Sequence, residues 1–167
     1  MKPDLKILGT PRGQIIRTLT IISSITLAID QLTKWWALET LPVSHVDSPQ
    51  LIEVSLTTNE GVAFSIGAGS KAIALVVGIS FALLALLLRM EWATASPRAQ
   101  FASGLLVGGA SGNIVDRVGR GAVIDFIHLR YFSIFNIADI AIVLGAALLI
   151  FVLLTSEITR VTKVVKT

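Results

Sequence analysis

The stretch "GGASGNIVDRVGRGAVIDFIHL", residues 108 to 129, puts Asp116, Arg117 and Asp125 into one of the most apolar parts of the chain. Asp139 follows inside "FNIADIAIVLGAALLIFVLL". An ionisable side chain at membrane depth costs about 3 kcal/mol, so a functional use is the default hypothesis for each. No cation lies within four residues of Asp125, and Asp139 has no obvious local counter-ion. Two carboxylates brought close share a proton, because like charges cannot both ionise cheaply. One then takes a proton from water as a base. The other, as an acid, protonates a carbonyl or its leaving group. Such a pair is the apparatus of an aspartic protease. Spacing alone leaves a proton relay and simple structural pairing open beside it.

The remaining polar groups have shorter-range explanations. Asp30 and Lys34 are four apart in sequence, on one helix face, and are expected to pair. Asn113 precedes Asp116 and Arg117 by three and four residues, so it lies on the same side as both. Adjacent residues on a helix point in different directions, so Asp116 and Arg117 do not pair simply. Arg117 is left for a backbone carbonyl, a substrate or Asp30. Asn136 precedes Asp139 by three residues, which puts both near the start of the last apolar helix.

These groups are held by an unusually apolar chain. Of 167 residues, 53% are hydrophobic and 15% charged, and mean hydropathy is +0.78. A soluble domain that apolar would leave large sticky surfaces, so the class is an integral membrane protein, with length for a single domain over 1–167. The chain has no cysteine and only two histidines, His45 and His128. Disulfides, thiolate zinc sites and a cysteine nucleophile are excluded, and a histidine-rich metal centre is disfavoured. The pI near 9.6 does not indicate nucleic acid, because the basic residues sit at the ends of apolar segments.

Four spans of the required length are expected, at about 15–38, 72–88, 99–115 and 134–154. The first is too long for a cleaved signal peptide and has no small-residue cleavage site at its end. Lys2, Lys6 and Arg12 precede it and Arg17 lies at its very start, Arg89 and Arg98 lie between the second and third spans, and Arg160, Lys163 and Lys166 follow the fourth. Residues 39 to 70 contain no Lys or Arg. Both termini are therefore expected inside and residues 39 to 70 outside. Arg117, Arg120 and Arg130 then fall on the outer side against the rule, which hints at work other than topology. "QLIEVSLTTNEGVAFSIG" partly alternates and is rich in β-branched residues, so a small extracytoplasmic β-sheet is expected in 39–70. Gly61, Gly67 and Gly69 would supply turns, with Asn59 to Gly69 forming a flap. Gly104, Gly108 and Gly112 recur every four residues and predict close packing of another helix. The fold class is thus mainly α, four transmembrane helices with a small β-sheet cradle.

At these residues the chain resembles lipoprotein signal peptidases (signal peptidase II). Five short blocks carry the resemblance, in order: "DQLTK" (30–34), "NEGVAF" (59–64), "GGASGNIVDR" (108–117), "VIDF" (123–126) and "FNIAD" (135–139). The resemblance implies a membrane aspartic peptidase of the bacterial cytoplasmic membrane with its site near the outer face. Its members remove signal peptides from prolipoproteins, on the amino side of a diacylglyceryl-modified cysteine. The catalytic pair maps to Asp125 and Asp139. Asn113, Arg117 and Asn136 match residues that contact substrate or the cyclic peptide inhibitor globomycin. Asp30, Lys34, Asn59, Gly61 and Asp116 match signature positions with supporting roles. No metal and no cofactor are implied, and the partners are the lipid-modified substrate and membrane lipid, with the enzyme expected as a monomer. Two other classes are weighed against this one. A proton-coupled transporter predicts acids spread across the membrane, whereas these gather on one side. A non-catalytic scaffold predicts tolerance of Asp-to-Asn changes.

Overall fold

The computed structural model describes residues 12–43, 51–59, 96–130 and 134–165. The expected second span, most of the expected flap, Gly61 and His45 lie outside the described residues. The elements run α1 (Arg12–Thr40), β1 (Ile52–Asn59), α2 (Pro97–Arg120), β2 (Val123–Leu129), β3 (Ile134–Phe135) and α3 (Ile137–Val165).

Each helix is longer than the apolar stretch that announced it. Pro97 supplies the first turn of α2, where its missing N–H costs nothing. The helix stops at Gly121, whose φ of 81° is left-handed and whose N–H bonds the carbonyl of Arg117 at 3.1 Å. The last helix begins later than the apolar pattern suggests. Ile134 and Phe135 are strand, and Asn136 stands just before the first helical residue. Among the described residues no helix is long and apolar enough to cross a membrane. Charged residues break up α1 and α2: Asp30, Lys34 and Glu39 in the first, Arg98, Asp116, Arg117 and Arg120 in the second.

The helices meet where side chains are small. A Cβ on Gly104 would collide with Ile22 of α1, and one on Gly108 with Thr26 and the carbonyl of Ser23. On the other side of α2, Gly109 lies against the Ala138 carbonyl of α3, and Gly145 of α3 against Leu106 and the backbone of Ala102. The stripe of glycines therefore packs α2 onto α1, as the four-residue repeat predicts. Gly109 and Gly145, outside that repeat, do the same for α3. An apolar cluster of Ala99, Ala102 and Leu149, joined by Leu106, Leu148 and Val152, fills the α2–α3 contact away from the sheet.

The sheet is antiparallel, in the order β1-β2-β3. β1 confirms the strand expected from "IEVSLTTN". Its partners were not expected. The β2 segment "VIDFIHL" is an almost unbroken apolar run with its first four residues buried, the pattern of a strand covered on both faces. Bounded by Gly121, it was legible as a strand, but periodicity alone does not separate such a run from a helix end. Pairing sets Thr57 opposite Asp125 and Asn59 opposite Val123, and the register slips between Val54 and Thr57. That irregularity leaves Asn59 on the Asp125 side of the ladder.

Candidate active site

Asp30, Lys34, Asn113, Asp116, Asp125 and Asn136 are all buried, Asp30, Lys34, Asp116 and Asn136 completely. Large apolar residues such as Ile25, Ile29, Leu32, Trp35, Val143, Leu144 and Phe151 are exposed. A polar centre inside an apolar exterior inverts the usual arrangement of a soluble protein.

Lys34 is the hub of one half. Its ammonium lies 2.9 Å from Asp30 Oδ2 and 2.7 Å from Asp116 Oδ2. It also donates to Asn113 Oδ1 at 3.0 Å. Three acceptors match the three protons of an ammonium. The Asp30–Lys34 pairing is the one expected from spacing, whereas the approach of Asp116 across 82 residues is not. Asp116 completes its shell with Arg120 at 2.5 Å and the backbone N–H of Ile124 at 3.3 Å. Asp30 Oδ1 accepts the N–H of Ala138 at 2.9 Å, which ties the start of α3 to α1. Two carboxylates, one ammonium and one guanidinium are thus gathered with no carboxylate left bare. A buried ion pair is tolerable only when its remaining polar atoms are also bonded.

Asn136 is the hub of the other half. Its Nδ2 donates to Asp125 Oδ1 at 2.7 Å, to the Ile124 carbonyl at 3.2 Å and to Asn113 Oδ1 at 3.1 Å. Its backbone N–H donates to Asp139 Oδ2 at 3.2 Å, and its Oδ1 accepts the N–H of Asp139 at 3.0 Å. This reciprocal pair is a capping box, so the three-residue spacing of "NIAD" both starts α3 and aims Asp139. Asn113 Nδ2 donates to Asp139 Oδ1 at 2.8 Å. Asn59 Nδ2, from β1, donates to Asp125 Oδ2 at 3.2 Å. Each of the four oxygens of Asp125 and Asp139 therefore accepts one N–H from a different donor group. Burial, and then the negative charge of nearby Asp139, push the Asp125 carboxyl up to about 6, against smaller opposing effects of Asn59, Asn136 and Lys34.

Arg117 donates to the backbone carbonyl of Asn113 at 3.3 Å, one of the partners foreseen for it. Its charge is also felt by Asp139, Asp125 and Asp116. Of the ten candidate residues, nine fall in this connected cluster, and Gly61 lies outside the described residues. Two participants were not among the ten, although Arg120 already stood out as a basic residue on the outer side. Gln31 donates to Asp30, to the Gly112 carbonyl and to Asp116, and accepts from Arg120. Arg120 follows Asp116 by four residues, a helical pairing distance that the sequence did display. Among the described residues no group of three or more His, Cys, Asp or Glu is placed to hold a metal ion. What the arrangement offers is two carboxylates joined through one asparagine, beside a guanidinium, at the junction of a sheet and two helix ends.

The family model for signal peptidase (SPase) II matches residues 22–155. A lipoprotein signal peptidase of Halothermothrix orenii is 33% identical over 82% of this chain and 95% of its own length. One from Caldicellulosiruptor bescii is 37% identical over 80% and 89%. A bacterial membrane enzyme solved by the in meso method at 2.3 Å superposes with a TM-score of 0.72 and 31% identity, over 85% of this chain and 90% of the other. A second such structure, at 1.9 Å, gives a TM-score of 0.66 at the same identity.

Proposed function

The chain belongs to the signal peptidase (SPase) II family of peptidases, and from the site's geometry we infer that it cleaves prolipoproteins with Asp125 and Asp139 as an aspartic dyad. The observation that carries this reading is Asn136, which donates to a carboxylate oxygen of each aspartate and so keeps the two in one polar cluster. The scissile bond is the one on the amino side of a diacylglyceryl-modified cysteine.

The division of labour follows from the environments. Asp125 is 2% exposed and its carboxyl is raised to about 6, which suits the proton-bearing member of the pair. Asp139 occupies the acidic position of a capping box at the start of α3, a place that welcomes negative charge. Asp139 takes a proton from water as the water oxygen bonds to the scissile carbonyl carbon. Asp125 gives its proton to the carbonyl oxygen, forming a neutral tetrahedral diol. As the C–N bond breaks, a diol hydroxyl gives its proton to the ionised Asp125 and Asp139 gives its proton to the leaving amine, so the carboxylic acid and the amine depart and the dyad regains its single proton. Arg117 satisfies backbone groups that a substrate helix frees when it unwinds.

The exposed apolar side chains of α1 and α3 support a lipid setting. The proposed arrangement is four spans in the bacterial cytoplasmic membrane, both termini inside, the sheet and dyad near the outer face, the enzyme a monomer and globomycin an inhibitor. The test is cleavage of a lipid-modified prolipoprotein by purified protein in detergent, wild type beside Asp125→Asn and Asp139→Asn. Both variants are expected to be inert while folded. Near-normal cleavage by either one ends the dyad reading.

A further inference from the structure

A carboxamide has an oxygen end and a nitrogen end of nearly the same shape, so its neighbours decide which way it points. At Asn113 one neighbour has no choice. An ammonium only donates, and the three protons of Lys34 face Asp30 Oδ2, Asp116 Oδ2 and Asn113 Oδ1. The oxygen of Asn113 must therefore face Lys34, and its nitrogen must face Asp139 Oδ1, 2.8 Å away. The second lone pair of that oxygen takes Asn136 Nδ2 at 3.1 Å. Asn136 is held by backbone groups: its oxygen takes the N–H of Asp139, and its nitrogen faces the Ile124 carbonyl as well as Asp125.

We propose that Lys34, acting through Asn113, holds the side-chain donor on Asp139 and is a positioning residue for the reaction. This rests on the aspartic-dyad reading and assigns Lys34 a task beyond pairing with Asp30. Without the ammonium, the oxygen of Asn113 keeps only Asn136 as a donor, and the amide that serves Asp139 is held less firmly. That one donor then favours the ionised Asp139 less, and the base is lost at low pH sooner than in the wild type. The charged groups around the dyad are Arg117 and Asp116 from α2 and Lys34 from α1. The first two have their own contacts to helix backbone or Arg120.

The test uses two variants of the full chain in detergent with a lipid-modified prolipoprotein. Lys34→Met combined with Asp116→Asn removes the ammonium together with one carboxylate, which leaves Asp30 and Arg120 and keeps the cluster neutral. Asn113→Leu removes the donor to Asp139 without adding a charge and leaves the pairs of Lys34 with Asp30 and Asp116. In both, KM stays near wild type, and kcat falls roughly 10- to 100-fold, the scale seen for outer partners of other sites. The acidic limb of the kcat/KM profile moves up by about one pH unit, as expected when a carboxylate loses a donor. A purely structural role lowers the amount of folded enzyme and leaves the limb in place. A folded variant with an unmoved limb overturns the proposal whatever its rate. Failure of Asn113→Leu to fold overturns it too, by making the Lys34–Asn113 contact a folding element. Wild type and Asp139→Asn run alongside. An inactive wild type or an active Asp139→Asn removes the dyad reading, whereas an unmoved limb with those controls behaving as expected removes only the positioning role.

Discussion

Replacing Asp125 by asparagine is expected to kill the enzyme and, at pH 8, to stabilise it. Asp125 is buried to 2% exposure, and its carboxyl titrates near 6 instead of the ordinary 3.8. Between those values the folded chain binds more protons at this site than the unfolded one. Stability therefore falls as pH rises from about 4 to 6, and stays at its lower level above that. A displacement of about two units corresponds to about 3 kcal/mol of strain at pH 8, on the order of magnitude only. Asparagine removes the charge but turns one acceptor into a donor. Asn136 is locked, so the mismatch falls on Asn59, whose amide must turn over, for about 1 kcal/mol. The net gain is about 2 kcal/mol, or about 4–8 °C in Tm for a chain of this size. Thermal unfolding in detergent at one scan rate, followed by tryptophan fluorescence, reads this directly. The advantage of Asp125→Asn should shrink to nothing at pH 4.5, where the wild-type carboxyl is already neutral. A variant no more stable than wild type at pH 8, or a gain unchanged between the two pH values, refutes the reasoning.

Asp139→Asn should abolish cleavage as completely as Asp125→Asn, and the double variant should cost little more, because groups that act as a unit are not additive; residual rates of purified enzyme check this. Arg117→Lys should fold yet lose about tenfold or more in turnover, since an ammonium cannot copy the planar fork that bonds the Asn113 carbonyl in the field of the dyad; unchanged turnover makes Arg117 structural. Gly112→Ala should destabilise by about 1–3 kcal/mol, because its Cβ meets the carboxylate of Asp30, which Lys34 and the Ala138 N–H hold in place; an unaltered melting temperature counts against this packing. Reporter fusions should find both termini inside, and an outer C-terminus contradicts the four-span proposal.

The local parts of this site were written in the sequence. Asp30 and Lys34 pair because four residues make one helical turn. Asn136 and Asp139 cap each other because three residues separate the two ends of a capping box. The glycines at 104, 108 and 112 fall on one face and accept α1 there. The β-branched run at 52–59 is a strand. The five short blocks also pointed to the family that the chain belongs to. Other features required the chain to fold. Nothing near Asp116 in sequence says that it meets Lys34, 82 positions earlier, rather than only Arg120. "VIDFIHL" reads equally as a helix end until β1 offers it a ladder. The slip in register between Val54 and Thr57 brings Asn59 over Asp125, and a slip is a property of two strands together. Periodicity reports which residues share a face of one element. Which faces meet, and which way a buried amide must then point, is settled only when desolvation leaves each polar atom no partner but those the other elements bring.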